Sequence, residues 1–370
     1  MRKDGLGKML WLRHRWVYGL LIALAVVGVL FSVTQTVGNY RMSVNYARSV
    51  ATKHKGGHTE FNSAKYTQIL SHSTPIYTTK YMDEKSNPHA IPYNENSGGV
   101  VTSYTLLILA AILGITLVSW DRMGRFERFL FASPFSRRHV YWRRFTQGLS
   151  VLVGVVAVFY LVNFAALFMF IPAQHVNITV LGILETWLYN VVADAALYAA
   201  ATWCALLFGN ALVAAIVGAV GFVLLDSFQK TAQFVGFALT HANSGNFFRQ
   251  SFISLRSPDR FWPQALLIMV VGGLIFALWS APIFAGTSSE RTHHVLAYPR
   301  MKWPLIVIMA VLGATYVADS VDFSSNVMVL DLLVRMVLPG MIAGGATWLL
   351  VSFGALRRRW FNRRDARAKA

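Results

Sequence analysis

One cysteine, Cys204, stands in the whole chain. That excludes an internal disulfide and a cysteine-based zinc site. No G-x-x-x-x-G-K-[ST] loop is present, the single Gly-Lys pair being Gly7-Lys8, so a phosphate cradle of that kind is missing. Neither H-E-x-x-H nor G-x-S-x-G occurs, and no activated nucleophile or metal set can be assembled from the residues. Acidic residues are scarce: 16 Asp and Glu stand against 34 Lys and Arg, a formal charge of +18. In a soluble protein that balance would point to nucleic acid. Here it accompanies 55% hydrophobic residues and a mean hydropathy of +0.47, so no nucleic-acid partner is expected and the basic loops of a membrane protein account for the charge.

What is present is length of apolar run. A bilayer crossing needs roughly 20 mostly apolar residues. Eight runs approach or exceed that: about 17–35, 100–119, 147–171, 182–207, 211–228, 263–284, 303–320 and 329–354. The expected fold is therefore an all-α polytopic membrane protein with about eight spans, one transmembrane domain over 1–370. The basic lead before the first run is not followed by a small-x-small cleavage pattern, and the first run reads as a retained span.

Charge orients the chain. With the N-terminus inside, segments 1–16, 120–146, 285–302 and 355–370 hold 22 of the 34 Lys and Arg. Leaving aside the long 36–99 segment, a poor reporter of orientation, the outer side keeps only the four in 229–262. Both termini are expected in the cytoplasm, with 355–370 a basic tail. Residues 36–99 are expected to form a small outer domain without sustained period. Residues 229–262, with Phe234, Phe237, Phe247, Phe248 and Phe252, are expected as outer interfacial or re-entrant helices.

The densest pattern is RFERFLFASPFSRRHVYWRRF, residues 125–145, with six arginines and five phenylalanines. Asp121 to Ala132 can form an amphipathic helix, Met123, Phe126, Phe129 and Leu130 on one side and Arg122, Arg125 and Arg128 on another. Pro134 disfavours helix at Ser133. Ser136 is a good N-cap for a helix starting at Arg137 and running into the third span. Such a loop could simply lie on anionic lipid. Glu127 among the arginines suits instead a protein partner that presents a basic residue.

The segment resembles the loop between the second and third spans of ABC-2-type transporter permeases. The residues that carry the resemblance are Gly124, Glu127, Phe129-Leu130, Ser133-Pro134-Phe135-Ser136-Arg137 and Arg143-Arg144. A weaker likeness lies at Glu290-Arg291 and Ala297-Tyr298-Pro299. In that family the loop is a cytoplasmic coupling helix seated on a separate ATPase subunit. The resemblance implies that Phe126, Glu127, Arg128, Phe129, Pro134, Ser136 and Arg137 form the docking element, within 121–138. It also implies ATP and Mg held by the partner ATPase and none by this chain, a second permease subunit as homo- or heterodimer, and a bacterial cell membrane. The implied activity is export of a hydrophobic or amphipathic drug, peptide or lipid, with no covalent chemistry in this chain. The family core has six spans, two fewer than the runs counted here. The alternative from another class is a scaffold or sensor whose basic loop grips membrane lipid and whose 36–99 domain binds an outer ligand.

Other candidates are few. His54 and His58 are four apart, but Gly56-Gly57 between them argue against a helix aligning them for a metal. The His293-His294 pair reads as an interface loop. Asp194 falls mid-span with Asn190 one turn earlier on the same face, a candidate substrate path or helix–helix contact. Asp331 and Arg335 are four apart, suited to an ion pair in the last span. Glu185 and Asp226 are expected at the outer interface.

Overall fold

A computed structural model describes residues 4–55, 58–63, 103–124, 126–172, 180–219, 262–287, 296, 301–318, 337–349 and 351–352. The helices are α1 (Asp4–Ala51), α2 (Tyr104–Met123), α3 (Phe126–Ala132), α4 (Arg137–Phe170) and α5 (Val180–Leu207). They continue as α6 (211–219), α7 (Trp262–Gly286), α8 (Lys302–Ala318) and α9 (Val337–Leu349). Five of them, α1, α2, α4, α5 and α7, are long and apolar enough to cross a membrane. α8 and α9 are shorter apolar helices. Five of the expected spans are thus represented by helices of spanning length; of the expected 211–228 run only the first nine residues are described.

The described helices share one large core and two smaller clusters, with α5 packed against α7 and α2, and α1 against α4. Leu10, Leu106, Leu113, Leu152, Tyr198 and Phe284 are among the side chains fully buried there. Opposite faces stay exposed and apolar: Leu20, Leu24 and Val27 on α1, Leu161 on α4, Leu267, Leu274 and Leu278 on α7. Bare stripes of this kind are what a lipid solvent covers. The chain is a membrane protein by this architecture.

The structure corrects the expected boundaries in three places. α1 runs 48 residues rather than 19, about 72 Å of helix against a hydrocarbon core of about 30 Å. The part of the expected outer loop from 36 to 51 is therefore helical. Its buried side is Tyr40, Ala47 and Ala51 with Val44 half-buried, a stripe at spacings of four, three and four, and Tyr40 and Val44 pack on Leu167 in the last turn of α4 and Ile171 just after it. Second, the described residues, otherwise helical, include one short hairpin within the expected outer loop. Strands β1 (Thr52–Lys55) and β2 (His58–Phe61) pair antiparallel, Lys55 opposite His58 and His54 opposite Thr59, with the two glycines between them a hairpin signal. Third, Asp121–Ala132 is two helices. The break falls at Gly124, whose N–H still bonds the Trp120 carbonyl at 3.1 Å. The Arg13 guanidinium of α1 passes so close that a Cβ on residue 124 would strike it.

Small residues set the close approaches, as in helix packing within lipid. Gly114 of α2 lies against Ala201 and the α5 backbone, and Gly340 and Gly344 of α9 face Ala310 and Ala314 of α8. Gly148 of α4 faces Leu117 and the Tyr198 hydroxyl. Gly148→Ala should therefore lower the melting temperature in detergent by overpacking, about 1–3 kcal/mol. Adding Tyr198→Phe should recover part of that loss; equal melting of single and double variants would refute this packing.

Candidate functional site

The site forms where five helix ends meet. α1 brings Arg13 and His14, the last turn of α2 brings Asp121 and Arg122, α3 brings Glu127, and α4 brings Arg144. The C-terminus of α5 is the fifth. Asp121 is fully buried, with His14 Nε2 at 3.1 Å, Arg144 Nη1 at 3.2 Å and Arg13 Nε at 3.8 Å. Its neighbour Arg122 points the other way. Arg122 donates to the carbonyls of Ala205 at 2.7 Å, Leu206 at 3.2 Å and Phe208. Those are carbonyls that the end of α5 leaves unpaired, where a cation is favoured by the helix dipole. The same guanidinium meets Glu127 Oε1 at 3.4 Å.

A second arginine repeats the device. Arg137 Nη1 donates to the carbonyls of Ala285 and Thr287, each at 3.1 Å, at the end of α7. Its guanidinium also lies over the Phe131 ring, 4.2 Å from the centroid. Phe131 in turn packs edge-on against Phe284. Arg13 covers Phe126 at 5.3 Å, and Arg144 covers Phe284 at 4.8 Å.

The seven docking candidates therefore divide. Ser136 caps α4 as expected, accepting from the His139 N–H at 3.3 Å. Pro134 and Arg128 are exposed, Phe129 is 56% exposed beside Met123 at 69%, and Phe126 is half-buried against Arg13. Glu127 is 2% exposed. The basic residue that its carboxylate meets is Arg122 of the same chain, so its expected outward role is corrected: it ties α3 to α2. Arg137 likewise joins α4 to α7. The sequence reading missed Arg13, His14, Asp121 and Arg122 as a set. One signal was available: Asp121 and Glu127 are the only acids in a segment with seven arginines, and both end up buried against them.

Within the bundle, Asp194 and Asn190 are 1% and 2% exposed, so both lie inside as expected for their shared face. Asn190 Nδ2 donates to the Thr186 carbonyl at 2.8 Å. Cys204 is a free thiol. Among the described residues no group of three or more His, Cys, Asp or Glu could hold a metal. Asp331, Arg335, Asp226, the His293-His294 pair, Glu290-Arg291, Ala297-Tyr298-Pro299, most of 229–262 and the 355–370 tail lie outside the described residues. The chain matches no family model, no curated protein and no solved structure.

Burial pushes the Glu127 carboxyl above the ordinary carboxylate range, against the opposing pull of the Arg122 and Arg144 guanidiniums. The folded state thus holds this proton more tightly than the unfolded chain does. The associated stability is full below the ordinary value of about 4.3 and is lost as pH rises through the folded value. Glu127→Gln should remove that loss and leave melting at neutral pH unchanged or higher. Asp121→Ala should cost about 3–5 kcal/mol by stranding Arg144 in the interior. Thermal melts from mild acid to neutral pH check both; a steep loss in Glu127→Gln would show that the charged carboxylate is needed.

Proposed function

We propose that the chain is the membrane-spanning subunit of an ATP-binding cassette exporter, driven by a separate ATPase. The observation that carries this reading is α3, a two-turn helix between two long apolar helices at the arginine-rich end. Its inner side is fixed by Glu127 and Leu130, and its outer side presents Arg128, Phe129 and, from the end of α2, Met123. A short amphipathic helix held this firmly from behind suits a surface that takes a push. The resemblance to ABC-2-type permeases supplies the kind of partner.

The direction of each helix fits eight spans with both ends on one side. α1, α4, α6 and α8 leave the arginine-rich end, and α2, α5, α7 and α9 return to it: Arg122 meets the end of α5, Arg137 the end of α7, and Lys302 at the start of α8 lies 5.8 Å from the Trp348 ring near the end of α9. The excess of Lys and Arg at that end makes it the cytoplasmic side, in a cell membrane. ATP and Mg bind to the partner ATPase. Two permease subunits, identical or not, pair to make the path. Force on α3 passes through Glu127 and Arg122 to the end of α5, and through Phe131 and Arg137 to the end of α7. Movement of those two helices changes access for a hydrophobic or amphipathic substrate.

The exposed residues give a clean test, because Glu127 and Arg137 serve the fold. Phe129→Glu with Arg128→Glu should leave the melting temperature within about 0.5 kcal/mol-equivalent of wild type and abolish co-purification of a Walker-motif ATPase from the native membrane. Retention of such an ATPase by the double variant, or its absence from the wild-type sample, would refute docking on α3.

A further inference from the structure

A row of buried polar groups follows the four-residue ridge that winds along α5. Thr186, Asn190, Asp194, Tyr198 and Thr202 recur every four residues, and none is more than 4% exposed. Asn190 donates to the Thr186 carbonyl, Thr202 Oγ1 to the Tyr198 carbonyl at 2.8 Å, and the Tyr198 hydroxyl to the Phe145 carbonyl of α4 at 3.2 Å. Asp194, at the middle of α5, is the exception. Its Oδ2 is buried with no hydrogen-bond partner among the described residues, and it makes no ion pair with any of them.

Among the described residues, the neighbouring helices bring no countercharge to that level. α7 contains no Asp, Glu, His, Lys or Arg. The charges of α2, Asp121 and Arg122, are in its last turn, and those of α4, Arg137, Arg138, His139, Arg143 and Arg144, are in its first turns. All of these lie at the arginine-rich end. α5 itself adds Glu185 near its start and the phenols of Tyr189 and Tyr198. α4 also carries the phenol of Tyr160, 5% exposed. A phenol offers a dipole but no positive charge.

An ionised carboxylate in such a place carries a large desolvation penalty, which a bound proton removes. A hard metal cation would need several oxygen ligands around it, whereas a proton needs one. We propose that Asp194 is a proton-binding site inside the membrane-spanning bundle. The proton forms an O–H bond to one carboxylate oxygen, and it returns to water only when the helices that bury Asp194 part. Proton release is then tied to bundle opening. This site stands independently of whether an ATPase docks on α3.

The test is infrared spectroscopy of the purified full-length protein, wild type minus Asp194→Asn. The expected difference spectrum at neutral pH shows a protonated-carboxyl stretch, converting to carboxylate bands on alkaline titration. Carboxylate bands at neutral pH, in sodium-free or sodium-containing buffer, would overturn the proposal. If the Asn variant elutes as aggregate, the wild type alone decides through a hydrophobic carbodiimide, which modifies protonated carboxyls in apolar surroundings. An adduct mapped to Asp194 at neutral pH, declining as pH rises, supports the site; no adduct there at any pH overturns it.

Discussion

One guanidinium, that of Arg122, closes the end of α5 and at the same time holds α3 in place. Everything at the arginine-rich end is arranged around the problem this creates. Burying a cation is costly unless its charge and donors find partners; here carbonyls at the end of α5 take its Nη donors, and the Glu127 carboxylate faces its Nε at 3.4 Å. Asp121, one residue earlier, is turned about 100° around α2 and so faces a different pair of helices. Two adjacent residues thereby fasten the end of α2 to α1 and α4 on one side and to α3 and α5 on the other. Arg137 provides the same service for α7, and with Arg122 it ties two returning helices to the loop between α2 and α4.

That arrangement determines which part of the loop can serve a partner. A helix of seven residues has two sides and little more. Once Glu127 and Leu130 are committed to the interior, Arg128 and Phe129 must face out. The exposed surface is apolar and basic because the acid has been used inside. A contact that relied on a carboxylate of this chain would have nothing on α3 to meet. A contact that inserts an aromatic ring and offers acid to Arg128 would fit.

The helices were legible because length and apolarity are properties of a run, readable without knowing the neighbours. The Ser136 cap and the stop at Pro134 were legible for a similar reason, since both act through the backbone within a few residues. The side on which Glu127 falls was not. In a short helix the periodicity leaves the inward direction open, and the deciding partner, Arg122, sits across the break at Gly124. The His14–Asp121 contact joins residues 107 apart in sequence, and no local pattern announces it. The extension of α1 to Ala51 was readable in principle from Tyr40, Val44, Ala47 and Ala51. A stripe of one tyrosine, one valine and two alanines among polar residues is a faint signal beside the long apolar run that precedes it.

The two kinds of buried carboxylate explain each other. Asp121 has three basic side chains carried to it by α1 and α4 at the arginine-rich end. Asp194 is about eleven residues from the Arg122-capped end of α5, or roughly 17 Å along the axis, beyond the reach of any arginine in that cluster. Moving a countercharge to it would require another buried cation in the most apolar layer of the bundle, at a cost that a proton avoids. A carboxyl that is neutral when the helices are closed and ionised when water reaches it favours the open state as pH rises. The face of α5 that carries Asp194 is also the helix whose end Arg122 grips, so any force delivered through α3 acts on the element that buries this acid.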